Sequence, residues 1–183
     1  MYIIVAALLL VLIVVVVMYN RLVRQRNLLN EAWSGIDVQL KRRHDLIPNV
    51  VETVKGYAQH ERKAFEEITR LRSILMDDTS SVQEKGKLEN SFTQALKSIF
   101  ALAEAYPELK ANQNFIELQT TLAAAEEQIQ LARRYYNGAA RDYNIMVQSF
   151  PNNLVAAFFR FTEAEFFEIE LATDRETPEV KFT

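Results

Sequence analysis

FIELQTTLAAAEEQIQLARRYYNGAARDYNIMVQSF, residues 115–150, decides the fold. Phe115, Leu118, Leu122, Ala125, Ile129, Ala132, Tyr136, Ala139, Tyr143, Met146 and Phe150 recur at alternating steps of three and four over five heptads. That spacing marks a helix burying one supercoiled seam against other helices. The chain upstream supplies them. Leu88, Phe92, Ala95, Ile99, Leu102 and Tyr106 repeat the pattern and stop at Pro107. Before them, Val50, Val54, Tyr57, Ala64, Ile68, Leu71 and Leu75 make another inner face, ending in a polar run at 77–81 that reads as a turn. Leu22, Leu29, Trp33, Ile36, Leu40 and Ile47 form the first seam, interrupted by Arg26 and Arg43. Asp45 and Pro48 read as a break and restart between the first two helices, because aspartate caps free amides and proline is tolerated in a first turn. With four Gly and four Pro in 183 residues, few breakers interrupt these patterns. The expectation is an all-α chain: an elongated antiparallel four-helix bundle with long coiled-coil-like helices.

An N-terminal transmembrane helix precedes the bundle. Residues 1–18 carry no charged side chain and, apart from Tyr2, no polar one. About 18 residues at roughly 1.5 Å each give about 27 Å, close to the roughly 30 Å bilayer core. A cleaved signal would need a basic start and a small-residue end, and neither is present before Val16, Val17, Met18 and Tyr19. Residues 1–19 therefore read as a single-pass anchor, with Tyr19 at the interface. Arg21, Arg24 and Arg26 follow, which predicts a cytoplasmic body by the positive-inside rule and places three cations against lipid headgroups. The helical body covers 20–161. An acidic tail, 162–183, is expected to be partly flexible from about Asp174. A net charge of −3 offers nothing to nucleic acid. Absent cysteine excludes a disulfide framework, a thiol nucleophile and lipid attachment through sulfur.

The motifs of catalysis are missing. His60 and Glu61 begin a metalloprotease-like pair, but the second histidine would fall at Ala64. With His44 the only other histidine, both read as exposed helix-end residues. No phosphate-cradling glycine loop, nucleophile elbow or Glu-x-x-His pair occurs. Glu66, Glu67, Glu126 and Glu127 read as solvated faces. The expectation is no enzyme, no metal and no cofactor.

Two patterns rise above this background. Tyr136 with Asn137 and Tyr143 with Asn144 repeat one heptad apart, either as core tyrosines with hydrogen-bonded phenols or as a polar ladder that fixes register or self-association. Phe150, Phe158, Phe159, Phe161, Phe166 and Phe167 gather six of eleven phenylalanines into 18 residues. Four antiparallel helices starting at a membrane return the chain there, so this cluster should close the membrane-proximal end, dock on lipid, or join a neighbouring protomer. Glu163, Glu165, Glu168 and Glu170 could pair with Arg21, Arg24 or Arg26 of a neighbour, which favours protomer contact.

At Tyr19, Asn20, Arg21, Leu22 and Val23, at 32–43 (AWSGIDVQLKRR) and at 45–57 (DLIPNVVETVKGY), the chain resembles the LemA family. The likeness continues through Ala58, His60 and Glu61, at 106–111 (YPELKA), at Ala132, Arg133, Tyr136, Asn137, Tyr143 and Asn144, and at Phe150 and Pro151, reaching about Phe161. It implies a helical bundle behind an N-terminal anchor in a bacterial envelope, with no established catalytic activity and no agreed biochemical role. Some family members attach through a lipidated cysteine and face outward; this chain lacks that residue. The expected function is a non-enzymatic scaffold at the bacterial inner membrane, a homo-oligomer in contact with the bilayer and with other membrane proteins. The alternative is an adaptor recruiting a membrane protease or signalling partner through Trp33, Asp37, Arg42 and Arg43.

Overall fold

The computed structural model describes residues 1–58, 60–77 and 80–168, and it is all-α: no strand occurs among them. In chain order the helices are α1 (Tyr2–Lys55), α2 (Arg62–Met76), α3 (Val82–Ala105), α4 (Pro107–Lys110), α5 (Gln113–Gln148) and α6 (Asn152–Phe158). The chain divides into two compact units. One joins Met1–Val38 to Ile129–Phe166; the other holds Gln39–Gln128 and the chain from Phe167.

The second unit has one core. Ile47, Val50, Val51 and Val54 of α1 contribute to it with Phe65, Ile68, Leu71 and Leu75 of α2, Phe92, Leu96, Ile99 and Ala103 of α3, Leu109 of α4, and Phe115 and Leu122 of α5. Each such side chain contributes about 1.5–3 kcal/mol on burial, which is why the three-four spacing, and not local propensity, selects these helices.

The expected break at Asp45 and Pro48 does not occur, because α1 runs through Pro48 to Lys55. Proline has no N–H, so the carbonyl of His44, four residues back, loses its helical donor. Arg72 replaces it: its Nε donates to His44 O at 2.8 Å. The chain turns instead at Gly56 and Tyr57, whose following residue Ala58 donates its N–H to Val54 O at 2.9 Å. Tyr57 leaves the expected inner face and lies 36% exposed, its hydroxyl accepting from Asn112 Nδ2 at 2.9 Å.

α3 opens on a reciprocal cap. Ser81 Oγ accepts from the Glu84 N–H at 3.3 Å and Glu84 Oε2 accepts from the Ser81 N–H at 3.2 Å. Asp78 and Thr79, in the expected turn before it, lie outside the described residues. α3 ends at Ala105, before Pro107 as expected, and Pro107 occupies the first position of α4, where a missing N–H is harmless. Asn112 Oδ1 then accepts from the Phe115 N–H at 3.1 Å and caps α5. Near the other end of the chain, Gly86 is buried, and a Cβ there would lie 2.6 Å from Glu168 O. Only glycine admits the backbone that closely.

In the first unit, residues 1–17 are exposed apart from Val15. They belong to a helix long and apolar enough to cross a membrane. Its continuation buries Met18, Leu22, Leu29, Ala32 and Ile36, while Ile129, Tyr136, Ala140 and Tyr143 of α5 and Val155 and Ala156 of α6 are buried in the same unit. The α5 seam follows the expected register up to Met146, but Phe150 stands 79% exposed and outside it. α6 begins at Asn152 after Pro151, with no side-chain cap. Its end is a Schellman turn: the Phe161 N–H donates to Ala156 O at 2.9 Å and the Arg160 N–H to Ala157 O at 3.3 Å. Arg160, at φ 58°, occupies the left-handed position that glycine usually fills.

Candidate functional site

The second unit encloses a cluster of charge. Arg43 and Glu89 are each 0% exposed and ion-paired, and Arg43 also pairs with the half-buried Glu126. Arg43 Nη1 donates to Thr93 Oγ1 at 3.1 Å, and its guanidinium lies 5.0 Å from the Phe92 ring centroid. His44 Nε2 stands 3.3 Å from Glu89 Oε2, while its ring meets Phe92 edge-on at 4.9 Å. Arginine suits this position because its planar fork serves several acceptors at once. Two expectations are corrected by it. His44 is buried and not at an exposed helix end, and Glu126 leaves the solvated face to pair with Arg43. The interruption of the first seam by Arg43 is thus an internal polar centre, while its neighbour Arg42 is exposed. Glu89 was overlooked because nothing local distinguishes it from other helical glutamates; an unpaired cation on an otherwise apolar seam was the available signal.

The first unit carries an aromatic site. Tyr19 meets Phe159 at 4.7 Å and Phe161 at 5.8 Å between ring centroids, and Arg26 lies 5.0 Å over the Phe161 ring. Phe161 is buried, whereas Phe158 and Phe159 are 79% and 45% exposed. Arg21, Arg24 and Arg26 are all exposed, along the two turns after Tyr19.

Further along α1, the Trp33 ring meets that of Tyr136 edge-on at 5.3 Å. Trp33 is half-buried and Asp37 exposed. Of the heptad-spaced tyrosines and asparagines, Tyr136 and Asn144 bond to the chain's own later segment. Tyr136 Oη donates to Glu165 O at 2.9 Å, and Asn144 clasps the Ala164 backbone, with Nδ2 donating to its O at 2.9 Å and Oδ1 accepting from its N–H at 2.7 Å. Tyr143 is buried and Asn137 half-buried. Burial, aided by the charge of Glu165, pushes the Tyr136 phenol above its ordinary value, and burial does the same for Tyr143 against the opposing charge of Arg26. Through these bonds residues 164 and 165 are tied to α5. The rest of the acidic tail, 169–183, lies outside the described residues, including Glu170 and the stretch from Asp174.

Among the described residues no group of three or more His, Cys, Asp or Glu could hold a metal. Fold and sites together define a class: all-helical proteins whose first helix is of membrane-crossing length, built around internal polar and aromatic contacts. The LemA family profile matches residues 32–182, and the chain belongs to the LemA family. It is 30% identical over 163 residues to Protein LemA of Metamycoplasma hominis, covering 82% of this chain and 73% of that one. It is also 26% identical over 181 residues to Magnetosome protein MamQ 2 of Paramagnetospirillum magneticum and 23% to Magnetosome protein MamQ of Magnetospirillum gryphiswaldense. Each of those matches takes in 85% of this chain and 66% of the relative, just under two thirds of its length.

Proposed function

We propose that this LemA-family chain is a non-enzymatic, single-pass scaffold of the bacterial cell membrane that self-associates through its helical body. One observation carries the reading: α1 runs without interruption from an exposed apolar stretch into buried seams. A helix with that division is an anchor at one end and a structural member at the other. The surrounding chemistry supports it, since the buried charge is matched by opposite charge and Tyr136 bonds to backbone. Arg21, Arg24 and Arg26, directly after the apolar stretch, favour a cytoplasmic body.

Sizing of the detergent-extracted, full-length protein tests the scaffold. A homogeneous assembly of many protomers is expected. A monomer would overturn self-association and favour the adaptor reading, with recruitment through Trp33, Asp37 and Arg42. For orientation, a cysteine introduced at Ser81 should resist impermeant thiol reagents in intact cells; labelling there would reverse the assignment.

A further inference from the structure

We propose that α6 and its flanking aromatics lie in the headgroup–acyl boundary of the leaflet from which α1 emerges, giving the protein a second, interfacial lipid contact. The proposal rests on the membrane-spanning reading of α1. Phe150, Leu154 and Phe158 recur every four residues and are 79%, 62% and 79% exposed, with Phe159 beside them at 45%. Within α6, Leu154 and Phe158 share one face, while Val155 and Ala156 are buried in the protein. A seven-residue helix thus buries Val155 and Ala156 and turns Leu154 and Phe158 outward.

Position decides what covers the outward face. Phe159 touches Tyr19, which follows directly on the uncharged stretch 1–18, at 4.7 Å between centroids. A ring held against the end of a spanning segment is at the bilayer surface, where aromatic side chains are favoured. Charge agrees. Residues 150–161, FPNNLVAAFFRF, contain no carboxylate, and their single charge is Arg160, which is exposed at the left-handed turn after α6. Arg21 and Arg24 are exposed close to Tyr19 in the chain. Cations with an acid-free aromatic stripe match an anionic lipid surface; the carboxylates begin only at Glu163.

The absence of cysteine allows single nitroxide labels without altering anything else. Full-length protein carrying Leu154→Cys or Phe158→Cys is reconstituted in vesicles of phosphatidylcholine with phosphatidylglycerol. Leu9→Cys serves as the spanning control and Lys97→Cys as the aqueous one. Power saturation against oxygen and a water-soluble nickel chelate should place labels at 154 and 158 about 5–10 Å below the phosphates, oxygen-accessible and nickel-protected. Nickel access equal to that at 97, with 9 still deep, would show α6 facing water and overturn the proposal while leaving the anchor intact. Exclusion of both reagents, with dipolar broadening between labels, would mean that a second protomer covers the stripe, and would overturn it too. A label at 9 accessible to nickel would remove the spanning segment and the proposal with it.

Discussion

The two units handle their costly groups in opposite ways. In the unit built on Gln39–Gln128, a guanidinium is drawn entirely inside and matched with carboxylates from α3 and α5. In the unit joining Met1–Val38 to Ile129–Phe166, the cations stay out and large apolar rings stand exposed beside them. Burying an ion costs several kcal/mol that pairing must offset, whereas exposing aromatics to water forfeits burial energy that some other surface must restore. The first arrangement finds its opposite charge within the protein. The second calls for a surface outside it.

The largest expected effect breaks the buried side of this contrast. Arg43→Met should destabilise the protein by about 3–5 kcal/mol, because Glu89 would remain buried without its cation. Adding Glu89→Leu should recover most of that loss, read by urea unfolding of helical signal in detergent. If the double variant is no better than the single one, the pair is not what makes the site costly.

In the other unit the corresponding test removes hydrogen bonds and not charge. Asn144→Ala leaves the Ala164 N–H and carbonyl without their side-chain partners and should cost about 1–3 kcal/mol. The same unit should respond to alkali. The fold holds the Tyr136 phenol proton more tightly than the unfolded chain does, whose value is near 10.0, so its contribution is intact below that pH and lost as pH rises through the raised folded value. Tyrosinate absorbance should show a delayed phase that Tyr136→Phe reduces and that Tyr136→Phe combined with Tyr143→Phe removes.

A smaller effect probes the continuity of α1. Arg72→Ala should cost about 1 kcal/mol by leaving His44 O without its donor. Adding Pro48→Ala returns a backbone N–H to that carbonyl and should make Arg72 dispensable, which thermal melting of the two backgrounds would reveal. The least change is expected at Arg160. Replacing it with glycine removes a left-handed penalty of roughly 1–2 kcal/mol and adds roughly 0.5–1 kcal/mol of chain entropy, a net gain of about half a kcal/mol. If Arg160→Gly instead raises nickel access to a label at 158 in the reconstituted vesicles, the lipid contact uses that cation.

The seams were legible because periodicity is a property of one helix at a time. Leu22, Leu29, Ile36 and Leu40 fell where α1 buries them, and Phe115 to Tyr143 kept register along α5. What escaped depended on distant partners. Pro48 reads as a stop until Arg72, 24 positions later, supplies the missing donor. His44 and Glu126 read as polar surface until Glu89 and Arg43 meet them. The Ser81–Glu84 cap is local and readable from its spacing, a serine three positions before a glutamate. The asparagine of each Tyr-Asn pair gave no sign that Asn144 would hold backbone, since an amide fits a carbonyl and an N–H as readily as another side chain.

The division of the chain also sets an order of events during synthesis. Gln39–Gln128 is contiguous, so most of one unit is complete before the second half of the other, which begins at Ile129, has left the ribosome. The ring contact between Tyr19 and Phe161 closes a loop of 142 positions, read as 161 minus 19. Helical proteins made of neighbouring contacts fold fast, and a closure of that span is slow by comparison. The nascent chain therefore holds its anchor's first buried turns, Met18 and Leu22, without their eventual neighbours for as long as translation of the intervening segment takes. Through that interval those turns are apolar surface still waiting for its cover, the kind of exposure that makes a folding intermediate prone to wrong contacts.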